Sequence, residues 1–162
     1  MSDGTDSVTV FRVDKGPGIE GTNKLWGQIR DLKIGVLSGV GAHPGSEEGE
    51  TVAEVAWKNE FGVGIPERPF LRPAMKNKRA DYTKLIVKIL VAIAAGRMTP
   101  KQGEALLGFD LQTAVQTQID LTTQPPNSEA TILKKGSSHP LIDTGLMKES
   151  VTWAPIGEED KK

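Results

Sequence analysis

Cysteine is absent from the 162 residues, so disulfides and thiolate metal sites are excluded. That absence fits assembly in a reducing cytoplasm. Aromatic residues make up only 5% of the chain, and a hydrophobic fraction of 37% is low for a self-sufficient globule. The length suits one domain with a real core; with this composition, the chain is expected to complete that core against neighbours. No long hydrophobic run is present. The most apolar stretch, residues 85–95, is broken by Lys88 and is too short to span a bilayer. The start M-S-D-G-T-D has neither the basic beginning nor the apolar run of a secretory signal. A soluble protein with no membrane partner is expected.

The only histidines, His43 and His139, each sit beside a proline in an expected loop, without carboxylate company at ligand spacing. Gly39-Val40-Gly41 follows a predicted strand but lacks a third glycine and a helix start, and no Gly-Lys-Ser/Thr signature occurs. No metal, nucleotide or other cofactor is expected.

Glycine and proline are plentiful, at 18 and 10, and imply many turns. The net charge of −1 hides an asymmetry. Between Lys58 and Lys101 ten basic residues face three acidic ones, giving +7 and leaving −8 for the remainder. Acid gathers just upstream, at Glu47, Glu48, Glu50 and Glu54. Such separation usually means a solvated face; the sharper reading is a surface that meets an acidic partner or nucleic acid.

Along the chain, residues 1–24 read as a flexible or partner-ordered arm containing one alternating stretch, Val8–Val13. A single domain is expected over 25–156, followed by a charged tail, 157–162. Leu32, Ile34 and Val36 alternate with Lys33 and Gly35 and predict a strand over Leu32–Ser38. Thr51 and Glu54 have the spacing of a capping box, Val52, Val55, Ala56 and Asn59 mark an inner helix face, and Gly62 stands where a left-handed stop belongs. Pro66, Pro69 and Pro73 forbid a continuous helix across 64–72. Pro73 suits the first turn of the next helix, predicted over Pro73–Ala95.

In that helix Tyr82, Leu85, Ile86, Ile89, Leu90 and Ile93 form one apolar face; Val87, Val91 and Ala94 add a second stripe, expected to be covered by another subunit. Thr99-Pro100-Lys101-Gln102 starts a further helix with Leu107, Leu111, Ala114, Val115 and Ile119 inward, although Gly103 and Gly108 each weaken it by ~1 kcal/mol relative to alanine. Thr131–Lys134 is a candidate short strand, and Ser150–Ala154 a final one. The fold class is therefore α+β: a small, mostly antiparallel sheet with two long helices packed on one face, and extended termini.

Asp143-Thr144-Gly145 matches the short motif of aspartic proteases, which need two carboxylates sharing a proton. The residues after Gly145 leave no room for a flap and a supporting strand, and a turn with glycine in the open dihedral accounts for the triplet. No catalytic residue is assigned. Arg68 and Arg72 flank Pro69 and Phe70. Either they pair with Glu60 or Glu67 within the chain, or they dock a neighbour with Phe70 as a buried anchor.

Residues 51–73, T-V-A-E-V-A-W-K-N-E-F-G-V-G-I-P-E-R-P-F-L-R-P, thus join an amphipathic helix, a glycine stop and an Arg-Pro-Phe-Leu-Arg-Pro entry into a second helix. Lys33-Ile34-Gly35-Val36 precedes them. Lys135-Gly136-Ser137 and Pro140-Leu141-Ile142-Asp143-Thr144-Gly145-Leu146-Met147-Lys148-Glu149-Ser150 follow near the C-terminus. Taken in order, these blocks resemble the head–tail joining or tail-completion proteins from the neck of long-tailed double-stranded DNA phages. The likeness covers residues 30–154. It implies a non-enzymatic virion protein that self-associates head to tail into a homo-oligomeric ring at the neck or the head-proximal end of the tail.

The ring would join a tail tube or tail terminator to the head connector and let duplex DNA pass without sequence-specific binding. It would assemble in the host cytoplasm. The implied structural or interface residues are Glu60, Phe61, Gly62, Arg68, Pro69, Phe70, Arg72, Asp143 and Gly145, with Val87 and Val91 added from the helix pattern. The alternative reading is a nucleic-acid-binding protein that uses the basic helix 76–88.

Overall fold

The computed structural model describes residues 27, 29–36, 41 and 49–157. The stretch Val8–Val13, Glu47 and Glu48 of the acidic loop, His43 and the tail 158–162 lie outside them. The elements in order are β1 (Leu32–Val36), α1 (Val52–Phe61), α2 (Leu71–Ala94), α3 (Pro100–Leu121), α4 (Glu129–Lys135), α5 (Leu146–Glu149) and β2 (Val151–Pro155). The protein is α+β, with a two-stranded antiparallel sheet and the two long helices packed against it.

β1 and β2 pair in a register running from Leu32 opposite Pro155 to Val36 opposite Val151. Side chains alternate across a strand, so Leu32, Ile34 and Val36 share one face and all three are buried. α3 lies on both strands and is sandwiched between them and α2. Its stripe of Leu107, Leu111, Val115 and Ile119 is buried, and it meets a core that includes Tyr82, Ile86, Ile89 and Ile93 of α2. α2 reaches the sheet at its start: Leu71 Cδ1 is 3.8 Å from where a Cβ on Gly35 would stand.

The two glycines that weaken α3 as a helix allow these contacts. A Cβ on Gly108 would fall 2.1 Å from the Trp153 indole, and one on Gly103 2.5 Å from Ile89 Cγ2. Their cost in helix propensity is offset by close approach of α3 to β2 on one side and to α2 on the other.

Local signals set most boundaries. Thr51 Oγ1 accepts the Glu54 N–H at 3.2 Å while the Glu54 carboxylate accepts the Thr51 N–H at 2.7 Å, the reciprocal capping box. Thr99 and Gln102 repeat it at α3, with Pro100 in the first turn. α2 ends in a Schellman turn: Arg97 N–H donates to Ala92 O at 2.9 Å and Gly96 N–H to Ile93 O at 3.0 Å.

Three expectations are corrected. Thr131–Lys134 is not a strand but the centre of α4, capped by Ser128 Oγ on the Thr131 N–H and stopped by Gly136 at φ +72°. α2 begins at Leu71, two residues before Pro73. The final strand starts at Val151 rather than Ser150, whose N–H and hydroxyl both return to Leu146 O and close α5.

Candidate docking surface and the corner beneath it

The entry into α2 poses a problem that the flanking sequence does not solve. A helix starts with four backbone N–H groups lacking intrahelical acceptors. The residue preceding α2, Phe70, has no side chain able to cap, and the first turn contains no acid. The solution is Glu60, from the last turn of α1. Its carboxylate accepts the N–H of Phe70 at 2.7 Å, of Leu71 at 2.9 Å and of Arg72 at 3.1 Å. The fourth position is Pro73, which has no N–H to satisfy. Ala74 N–H then makes the first return bond, to Phe70 O at 3.3 Å.

One buried carboxylate thus caps a helix eleven residues away, and its negative charge also suits the positive end of the helix dipole. Glu60 is only 1% exposed. A charge so buried must be paired and hydrogen-bonded. Arg72 provides the pairing, with Nε at 2.9 Å from Glu60 Oε1. The same guanidinium donates to Glu60 O and to Glu67 Oε1, and sits 5.1 Å above the Phe61 ring. These hydrogen bonds to Glu60 and Glu67 raise the Arg72 pKa further.

Gly62 makes the corner possible. At φ +69° it reverses the chain after α1; its N–H and that of Val63 both return to Lys58 O, at 2.8 and 3.1 Å. A side chain there would meet Glu67 Cβ at 2.9 Å. Asn59 O, freed from that turn, accepts the Arg68 N–H at 2.7 Å.

Arg68 does not pair with Glu60 or Glu67, one of the sequence readings. Its buried guanidinium donates instead to Pro125 O at 2.8 Å and Pro126 O at 3.1 Å, tying the corner to the segment after α3. Burial lowers its pKa. Phe70 is not an interface anchor either. It is completely buried within this chain's own core, and Pro69 beside it is half-buried. Of the Arg-Pro-Phe-Leu-Arg-Pro string, Arg68, Phe70 and Leu71 are buried in this chain, and the exposed Arg72 ties the corner to Glu60 and Glu67.

The two motif blocks meet. Val55, Asn59 and Ile65 from the first share a cavity of about 400 Å³ with Lys135, Pro140, Asp143 and Gly145 from the second. Gly145 has φ +86°, and Thr144 Oγ1 accepts the Leu146 N–H at 3.3 Å, so Asp143-Thr144-Gly145 is a turn leading into α5. Lys135 Nζ donates to His139 O and Pro140 O, and Asn127 Nδ2 to His139 O, which pins the connecting loop. Burial lowers the Lys135 pKa against the opposing pull of Asp143. Asn127 was not singled out from sequence, because its partners are backbone carbonyls with no signature of their own. Among the described residues, no group of three or more His, Asp or Glu could hold a metal ion, and no helix is long and apolar enough to cross a membrane.

Outside this corner, apolar side chains stay in solvent. Trp57 and Phe61 lie one turn apart on α1 with ring centroids 6.1 Å apart, and Val63 and Ile65 in the loop that follows are also exposed. On α2, Val87 and Val91 are 51% and 55% exposed. Of the acidic loop, Glu50 pairs with Lys58 and Glu54 serves the α1 cap, so both already have partners within the chain. No family model, curated protein or solved structure matches the chain.

Proposed function

We propose that the protein is a structural component of a phage neck: a ring-forming subunit at the head-proximal end of a tail that joins tail to head connector around the DNA path. Its partners on this reading are copies of itself, the head connector, and a tail tube or terminator, with duplex DNA passing through. The observation that carries it is the division of labour in residues 51–73. The polar motif groups are consumed in building a rigid corner, while Trp57, Phe61, Val63 and Ile65 remain on its outside, 36–42% exposed. Exposed apolar side chains close in sequence on a well-capped scaffold suit a protein-docking surface.

The test is to make virions without this protein. Unattached, otherwise complete heads and tails are the expected result in negative stain; joined particles would overturn the proposal. Purified protein should also form rings as its concentration rises.

A second reading has its own support. Lys76, Arg79, Lys84 and Lys88 are exposed on α2 and meet no carboxylate among the described residues. A basic helix of this kind would bind duplex DNA with an affinity that falls steeply with salt. Tight, salt-sensitive binding by the isolated protein, without rings, would favour it.

A further inference from the structure

The backbone of β1 is satisfied on one side only. In an antiparallel pair, opposed residues alternate between those that exchange N–H and C=O bonds and those whose backbone groups point away from the partner strand. Ile156 N–H donates to Asp31 O at 2.7 Å, one step beyond Leu32 opposite Pro155, and this fixes the phase. Lys33 therefore exchanges with Ala154 and Gly35 with Thr152, while the N–H and C=O groups of Leu32, Ile34 and Val36 face outward from β2. Pro155 agrees with that phase, since it stands where β2 donates nothing to β1.

The outward groups are also shut away from water. Leu32, Ile34 and Val36 are 2%, 1% and 6% exposed. None of their outward groups meets a partner among the described residues. More than about nine in ten buried backbone groups are paired in folded proteins. Three donors and three acceptors left over along a single strand are the template for another strand. A sheet of two strands is itself marginal, and a third relieves that. The outer edge of β2 is a poorer template: Pro155 interrupts its donors, and Trp153 and Pro155 are only half-buried.

We infer that the outer edge of β1 receives Val8–Val13 of the same chain as a third strand. Of the residues outside the described ones, these alone have strand chemistry: V-T-V-F-R-V, with Val8, Thr9, Val10 and Val13 β-branched and Phe11 aromatic. The segment after β1 is broken by Gly39, Pro44 and Gly45, and Gly41 O accepts the Val52 N–H at 3.3 Å, which leads it to α1. Residues 158–162 are all charged. Eighteen residues separate Val13 from Leu32. They can span up to about 60 Å, against roughly 17 Å for the length of β1, so Val8–Val13 can return beside it. A tether of this kind holds the strand at an effective concentration in the millimolar range, which favours the chain's own arm over a neighbour's. The pairing belongs to one copy and is independent of the ring.

Amide hydrogen exchange, followed residue by residue by NMR, tests it in the full chain. The Lys33 and Gly35 amides, bonded to β2, are the internal standard. The Leu32, Ile34 and Val36 amides are expected to exchange as slowly as these two; fast exchange at those three positions overturns the third strand. Deleting residues 1–14 should speed the three outward amides by about an order of magnitude or more and leave Lys33 and Gly35 slow. Unchanged protection after the deletion would give the edge to another segment and overturn the assignment. If the shortened chain does not fold, Val10→Pro decides in its place, because it disrupts the strand while keeping the arm. Protection that appears only as protein concentration rises would assign the strand to a neighbouring copy and overturn pairing within the chain.

Discussion

Glu60 shows how much a single side chain can hold. Its carboxylate satisfies three backbone donors and one guanidinium at a position 1% exposed. Removing the carboxylate strands the N–H groups of Phe70, Leu71 and Arg72 at a cost of roughly 1–3 kcal/mol for each buried donor, while Arg72, 44% exposed, keeps Glu67. Glu60→Ala should therefore cost at least about 3 kcal/mol in a urea titration; a loss below ~1 kcal/mol would mean that water replaces the carboxylate.

The α3 glycines give a paired expectation. Alanine at Gly108 would stand 2.1 Å from the Trp153 ring, which is also held edge-on against Phe109 with centroids 5.6 Å apart. Overpacking of this kind costs about 1–3 kcal/mol, more than the ~1 kcal/mol that alanine returns in helix propensity. At Gly103 the obstacle is the Cγ2 methyl of Ile89, a side chain that can rotate. Gly108→Ala should lower the melting temperature clearly more than Gly103→Ala, and the reverse order would show that the indole yields more readily than the isoleucine.

At the scale of elements, the chain was legible wherever cause and effect lie within one turn. Thr51/Glu54 and Thr99/Gln102 announce their helices because both halves of each box are local. The periodicity of residues 82–93 fixes the inner face of α2. Legibility stopped where the partner is remote. Pro73 looked like a helix start because Glu60, which caps two residues earlier, belongs to another element. Thr131-Ile132-Leu133 looked like a strand through its β-branched residues, but Ser128 and Gly136 bracket one short helix and decide its form. Of the two readings open for the arginines, pairing within the chain holds for Arg72, whereas burial excludes an outward role for Phe70 and Arg68.

Gly62, read from sequence as a left-handed stop, does hold φ +69°. Gly62→Val should cost more than ~1 kcal/mol, since a branched residue is strained there and would also press on Glu67. A melting temperature equal to wild type would count against this account of the corner.

The whole molecule adds a pH dependence. Glu104 on α3, only 3% exposed, accepts the Arg30 N–H at 2.9 Å and its guanidinium at 2.8 and 3.1 Å, tying the segment before β1 to the middle layer. Burial alone would raise the Glu104 pKa, but the hydrogen bonds and charge of Arg30 outweigh it and the net shift is downward from 4.5. A depressed carboxylate stabilises the folded state above its unfolded pKa, and that contribution is lost as pH falls through the folded value. Urea midpoints should therefore drop below pH 4.5, and Glu104→Gln should be less stable at neutral pH but lose less on acidification. Arg30 is 56% exposed, so screening keeps the effect modest. Parallel pH curves for the two proteins would assign the loss elsewhere.

The corner beneath the docking surface also acts as a protractor. α1 carries one exposed face and α2 the other, and Glu60, Arg72 and Gly62 set the angle between them. If the subunits close into the proposed ring, that angle would bear on their number, through a joint whose carboxylate, Glu60, is buried. Arg72→Lys keeps the charge but loses the planar fork that spans Glu60 and Glu67. Its expected signature is a mixture of ring sizes by native mass spectrometry where wild type gives one. A single unchanged size would place the control of closure in the interfaces themselves.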